Sequence, residues 1–154
     1  MKLLHREVTR DAEPAQAPKP VHTGSGRRIL IVEDNYFVAH QCEAALLDAG
    51  FDVIGVIESG EQAVDAAAQR RPDLVLMDIY LPGKLDGIDA ATEIFRRLGI
   101  PSVFASALAD PAVKARAASA RPVAWLVKPF NDRKLVATVE TALRELPALS
   151  DAQP

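Results

Sequence analysis

The sequence predicts an α/β protein built on a doubly wound, parallel five-stranded sheet. Three observations lead there. Five short apolar runs recur, at 28–33, 52–57, 73–78, 101–105 and 122–127, and they are continuous rather than alternating, as strands buried on both faces are. A segment with helical spacing of apolar residues follows each run. Strand and helix alternating in this way give parallel strands, right-handed crossovers and helices on both faces.

The first run, RILIVE, gives way to Asn35. Beyond it Val38, Cys42, Ala45, Leu46 and Ala49 recur at helical spacing, and Gly50 closes the segment. The second run, DVIGVI, precedes Ser59, which forms a capping-box pattern with Gln62 at the head of a helix reaching about residue 70. Pro72 breaks that helix, and the third run ends in an acid, Asp78. The loop 80–86 carries the turn residues Pro82 and Gly83. A helix over about 87–98 buries Ile88, Ala91, Ile94 and Phe95 and stops at Gly99. After the fourth run, Asp110 is placed to cap, and Pro111 to begin, a short Ala-rich helix to about residue 119. After the fifth, Asn131 or Asp132 caps a last helix with Leu135, Val136, Val139 and Leu143 inward, which Pro147 is expected to end.

The 154 residues have room for one domain. Residues 1–26 are expected to be a disordered or extended arm, because AEPAQAPKP and Gly24-Ser25-Gly26 have no apolar period to offset their chain entropy. Residues 27–147 form the globular domain and 148–154 a tail. Apolar residues make up 49% of the chain and charged ones 25%, enough for an ordinary core. The net charge is −3 and no Lys/Arg-rich run occurs, which argues against DNA as a partner. The lone Cys42 excludes an internal disulfide and a Cys-based zinc cluster. With no spanning-length apolar run and no secretory segment, a cytoplasmic protein without membrane insertion is expected.

In open parallel sheets ligands bind at the carboxyl ends of the strands. The first strand ends in Glu33-Asp34, the third in Asp78, the fourth in Ser106-Ala107 and the fifth in Lys128-Pro129. The turn after the first strand lacks the glycines of a dinucleotide site. Three carboxylates, a hydroxyl and an ammonium converge instead. Crowded carboxylates ask for a hard cation such as Mg²⁺, which bridges carboxylates to phosphoryl oxygens. A lysine and a hydroxyl alongside suit the phosphoryl group itself, and an aspartate can be its acceptor. Taken singly, each residue has a plainer use: Asp34 as a helix cap, Asp78 in a turn, Ser106 in a loop, Lys128 on the surface. Their coincidence on one sheet edge favours in-line phosphoryl transfer.

These residues resemble a bacterial response-regulator receiver domain with the flavodoxin-like (βα)5 fold, over about residues 28–146. The matching motifs are Val32-Glu33-Asp34, Leu76-Met77-Asp78, Leu81-Pro82-Gly83 with Asp86-Gly87, Ser106-Ala107 and Lys128-Pro129-Phe130. Spacings of 44 residues from Asp34 to Asp78, 28 on to Ser106 and 22 on to Lys128 also fit. The resemblance implies that Asp78 accepts a phosphoryl group from a histidine kinase. It implies Mg²⁺ (Mn²⁺ can replace it) held by Asp34, Asp78 and the Tyr80 backbone carbonyl, with Glu33 acting through a water. Lys128, preceding a cis bond to Pro129, would meet a phosphoryl oxygen, as would the Ser106 hydroxyl and the Ala107 backbone N–H. Ser106 and Trp125 stand at the switch positions. Phe104-Ala105-Ser106-Ala107-Leu108-Ala109 is similar to the Phe-Ala-Thr-Gly-hydrophobic-Tyr (FATGUY) signature of single-domain receivers common in alphaproteobacteria. Ser stands here for Thr, Ala for Gly, and Ala109 for Tyr. That group implies kinases of the HWE or HisKA2 type.

The leading expectation is a stand-alone receiver, since about seven residues follow the last helix. It would signal through an unknown downstream protein or drain phosphate from a kinase, as a monomer or weak homodimer. It would not be an enzyme beyond its own phosphorylation and dephosphorylation. One alternative is a receiver-fold scaffold that works without phosphorylation. Another is a phosphatase of the haloacid dehalogenase type, but those carry a second Asp two positions after the nucleophile, where this chain has Tyr80.

Overall fold

The computed structural model describes residues 26–107 and 110–151, with side chains as far as 146. The arm at 1–25, the motif residues Leu108 and Ala109, and the last three residues of the tail lie outside the described residues. The sheet has five strands: β1 (Arg28–Val32), β2 (Asp52–Ile57), β3 (Leu74–Asp78), β4 (Ser102–Ser106) and β5 (Ala124–Val127). All pairings are parallel, in the order β2-β1-β3-β4-β5. The order reverses direction between β1 and β3, so their carboxyl ends flank the crevice where such sheets bind ligands. The α/β doubly wound fold read from the sequence is the one observed.

Each helix starts where a side chain satisfies the first-turn amides. Asn35 accepts from Phe37 and Val38 at the head of α1 (Tyr36–Asp48). Ser59 accepts from Gln62 N–H in α2 (Gly60–Arg70). Asp86 accepts from Asp89 N–H in α3 (Gly87–Leu98), and Asp110 from Val113 N–H in α4 (Pro111–Ala117), which tightens into a 3₁₀ turn over Ala118–Ala120. For α5 (Asp132–Asp151) the cap is Asn131, which accepts from Lys134 N–H at 2.8 Å.

One expected boundary is corrected. Pro147 does not end the last helix, which continues to Asp151. Proline's fixed φ lies in the helical region, so the backbone can keep helical angles through it.

The core forms two layers. On one face of the sheet Leu30, Val32, Val75, Met77 and Phe104 pack with Ala63, Ala67, Ile88, Ala91 and Ile94 of α2 and α3. On the other, Ile29, Ile31, Leu74, Leu76, Val103 and Leu126 pack with Cys42, Leu46, Leu135, Val139 and Leu143 of α1 and α5. Alternate residues of each strand feed opposite layers. This explains why the strands read as unbroken apolar runs.

Candidate functional site

The site is built where β1, β3, β4 and β5 run out. Register carries Val32 beside Met77, Asp78 beside Ala105, and Ser106 beside Val127. The residues that follow therefore meet at one edge. Oxygens of Glu33, Asp34 and Asp78 all lie within 4.8 Å of one another. Asp78 and Glu33 are 6% and 5% exposed, and Asp34 is open to solvent. Lys128 reaches this group from β5: its Nζ is 2.8 Å from Glu33 Oε1 and 3.5 Å from Asp78 Oδ1. The other oxygen of Glu33 accepts from Asn35 N–H at 3.0 Å.

The electrostatics follow from crowding. Burial, then the negative charge of Glu33, push the Asp78 carboxyl up to about 6, against the pull of Lys128. Burial opposes the Lys128 ammonium too, but its hydrogen bond to Glu33 and the two negative charges outweigh it, so its pKa lies above the ordinary lysine value. Burial, then the charge of Glu33, push the thiol of the buried Cys42 up to about 12, which disfavours the reactive thiolate.

The remaining sequence candidates fall around this centre. Tyr80 sits two residues past Asp78, exposed at the start of the 79–86 loop. Ser106 is buried at the end of β4, and its carbonyl accepts from Lys128 N–H at 2.9 Å. Ala107 is exposed just beyond. The Lys128–Pro129 bond is cis. Trp125 is half-buried, with its ring centroid 5.1 Å from that of Phe104 and the Lys114 ammonium 5.4 Å above its face.

The sequence reasoning passed over Glu61 at the start of α2. Its Oε2 accepts from the backbone N–H groups of Lys84 and Leu85 at 2.7 and 3.0 Å. The loop after Asp78 is also pinned by Gly87 N–H donating to the Ile79 carbonyl at 2.7 Å. A Cβ at position 87 would fall on the Asp78 carbonyl oxygen, so only glycine allows that approach. An acid in the first turn after Ser59 was visible in the sequence, but helix N-termini favour acids in any case.

An all-oxygen donor set at this spacing, with one exposed member, fits a hard divalent cation that keeps some of its waters. Glu33, Asp34 and Asp78 are the residues placed together to hold it.

A sheet of this order with an acid cluster and a lysine at its carboxyl edge defines a class of phosphoryl-accepting signalling domains. Residues 29–140 match the response regulator receiver domain, and the chain belongs to that family. Over 126 residues it is 37% identical to the transcriptional regulatory protein PdtaR of Mycobacterium tuberculosis. That match covers 80% of this chain and 61% of PdtaR, so the chain spans about three fifths of that relative. The signal receiver domain of a modulated diguanylate cyclase from Desulfovibrio desulfuricans G20 superposes with a TM-score of 0.73 at 34% identity, over 79% of this chain and 96% of that one. A chain of the CheX–CheY–BeF3–Mg²⁺ complex from Borrelia burgdorferi gives 0.71 at 27% identity, over 77% and 90%. Receiver domains of response regulators serve phosphoryl-acceptance signalling as a family. Among the described residues, no helix is long and apolar enough to cross a membrane.

Proposed function

We propose that this chain is a phosphoryl-acceptor switch in which Asp78 takes the group from a phosphohistidine in a Mg²⁺-dependent reaction. The observation that carries the reading is the placement of Asp78, nearly buried, with Lys128 at 3.5 Å and Glu33 and Asp34 within 4.8 Å. An Asp78 oxygen forms the new P–O bond as the P–N bond breaks, and the imidazole keeps the electron pair. Mg²⁺, when bound, supplies charge neutralisation of the phosphoryl oxygens. Lys128 carries the fixed positive charge on the other side. Ser106 and the Ala107 N–H lie on the next strand end, where they can receive the new oxygens. Trp125 and the turn after Ser106 respond to the added charge of nearly −2.

The kinase class proposed is HWE or HisKA2, supported by the Phe104-Ala105-Ser106 and Lys128-Pro129-Phe130 sequences. The downstream partner is proposed to be a protein rather than DNA, and draining phosphate from a kinase is the other use of the same chemistry. Tyr36, 71% exposed, and Phe37, 79% exposed, offer apolar contact area next to Asp34 for such proteins. The chain is proposed to work in the cytoplasm, as a monomer or weak homodimer, and not as an enzyme on other substrates, because Tyr80 occupies the place of a phosphatase's second acid.

The test is intact-protein mass after incubation with acetyl phosphate and Mg²⁺, for wild type and Asp78→Asn. The expected result is one phosphoryl group on the wild type, none without Mg²⁺ and none on the variant. A wild type that stays unmodified with small donors and with HWE or HisKA2 kinases alike would sink the proposal and favour the scaffold reading.

A further inference from the structure

The 79–86 loop joins Asp78 to α3 and carries the Tyr80 carbonyl. Its first half is anchored by Gly87 N–H on Ile79 and by the buried Leu81. Its second half turns at Gly83, with φ of +98°, and lands on a single side chain from another element, Glu61. Oε2 receives two backbone donors, and Oε1 lies 2.8 Å from where a Cβ on Gly83 would stand. A Cβ at that place would push the Glu61 carboxylate aside, and the φ itself favours glycine. Gly60 belongs to the same junction: a Cβ there would meet the Leu85 carbonyl oxygen at 2.5 Å.

An exposed glutamate ordinarily has as good a partner in water as in the chain. This one is held by backbone donors of Glu61 itself, Leu85 and Lys84, which keep its carboxyl below the usual range. Two glycines make room for the arrangement, so the local sequence is fitted to the clamp from both sides.

We propose that Glu61 is a positioning residue for the cation site: by clamping Lys84 and Leu85 it fixes the path of the loop and with it the direction of the Tyr80 carbonyl. The inference rests on the acceptor reading above. Glu61 acts through the loop backbone. Outer partners that orient a metal's ligands typically cost tenfold or more in affinity when removed.

The experiment counts Mn²⁺ bound to the full chain from the EPR signal of the free ion, with thermal unfolding of the same samples. Glu61→Ala is expected to weaken Mn²⁺ binding roughly tenfold. The Mn²⁺ concentration at which acetyl phosphate half-modifies Asp78 should move by the same factor. Glu61→Gln, which keeps an acceptor oxygen, should recover most of the affinity. Gly83→Ala pushes on the clamp from the loop side and should reproduce the loss, which keeps the test open if Glu61→Ala does not fold. A role confined to stability would lower the melting temperature and leave the affinity of the folded chain alone. Wild-type affinity in Glu61→Ala, or in Gly83→Ala where that is the variant that folds, overturns the proposal. A wild type that neither binds Mn²⁺ nor accepts a phosphoryl group overturns the acceptor reading instead, and this inference with it.

Discussion

The Lys128 ammonium lies closer to Glu33, at 2.8 Å, than to Asp78, at 3.5 Å. The lysine therefore serves first as counter-charge to a buried glutamate and second as neighbour of Asp78. Replacing it by alanine strands two buried carboxylates, and breaking such a pair typically costs several kcal/mol. Lys128 is partly exposed, so we expect a loss of about 1–3 kcal/mol at pH 7. Added Mg²⁺ should raise the melting temperature more in Lys128→Ala than in wild type, because it restores the missing positive charge. Equal Mg²⁺ shifts in the two chains would show that Lys128 does not neutralise the acid cluster.

Asp78 weakens the cation-free fold at neutral pH. An unfolded aspartate titrates near 3.9, whereas Asp78 titrates at about 6 in the folded chain. The native state thus holds a proton that the unfolded chain has released, and stability falls as the pH rises through that window. Asp78→Asn removes the effect. In buffer free of divalent ions it should be more stable than wild type at pH 7.5 by about 1–3 kcal/mol. The gain should shrink as the pH is lowered from 6 to 4. Denaturant melts across that range would check it, and a gain independent of pH would refute the assignment.

Gly87 should tolerate no side chain. Its would-be Cβ coincides with the carbonyl oxygen of Asp78, which is sheet backbone and cannot swing aside. We expect Gly87→Ala to cost about 3 kcal/mol or more, as severe overpacking does. Gly99 makes a control: a Cβ there meets nothing within 4 Å, and its φ of +72° alone should cost about 1 kcal/mol in Gly99→Ala. Paired chemical melts of the two variants decide the matter, and similar losses would contradict it.

The short α4 should be the least protected helix. It spans seven residues and buries one of them, Ala117, while α3 buries five. Local opening is easiest where few apolar contacts are lost. Arg116 ties it to Asp86 and Asp89 at 2.8 and 3.0 Å, but these pairs are exposed and contribute little. Amide exchange over residues 111–117 should be faster than in α1, α2 or α3. Protection there equal to that of α3 would count against the idea.

Most of the fold was legible because a strand buried on both faces needs an unbroken apolar run, and five such runs alternated with capped helices. Ser59, Asp110 and Asn131 cap because their side chains reach amides only a few residues away, which is local information. Glu33, Asp34, Asp78 and Lys128 were legible as strand ends. The preference of Lys128 for Glu33 was not, since it depends on packing across 95 positions. The grip of Glu61 on Lys84 and Leu85 was hidden for the same reason: it needs the start of α2 set against a loop two elements later. Pro147 misled because its rule is statistical, and one lost donor near a helix end does not force a stop. Ser102, buried at the head of β4 with no hydrogen-bond partner for its hydroxyl among the described residues, has no signature in the sequence at all.

The strand that supplies Lys128 is the last to be synthesised. A chain emerging from the ribosome exposes Asp34 first, Asp78 about two score residues later, and Lys128 only after four strands are already out. Early segments can begin to order during translation, yet until β5 docks against β4 the carboxylates have no fixed cation of their own. A polypeptide that stalls short of that point carries Asp78 without the Lys128 charge that stands beside it in the full fold.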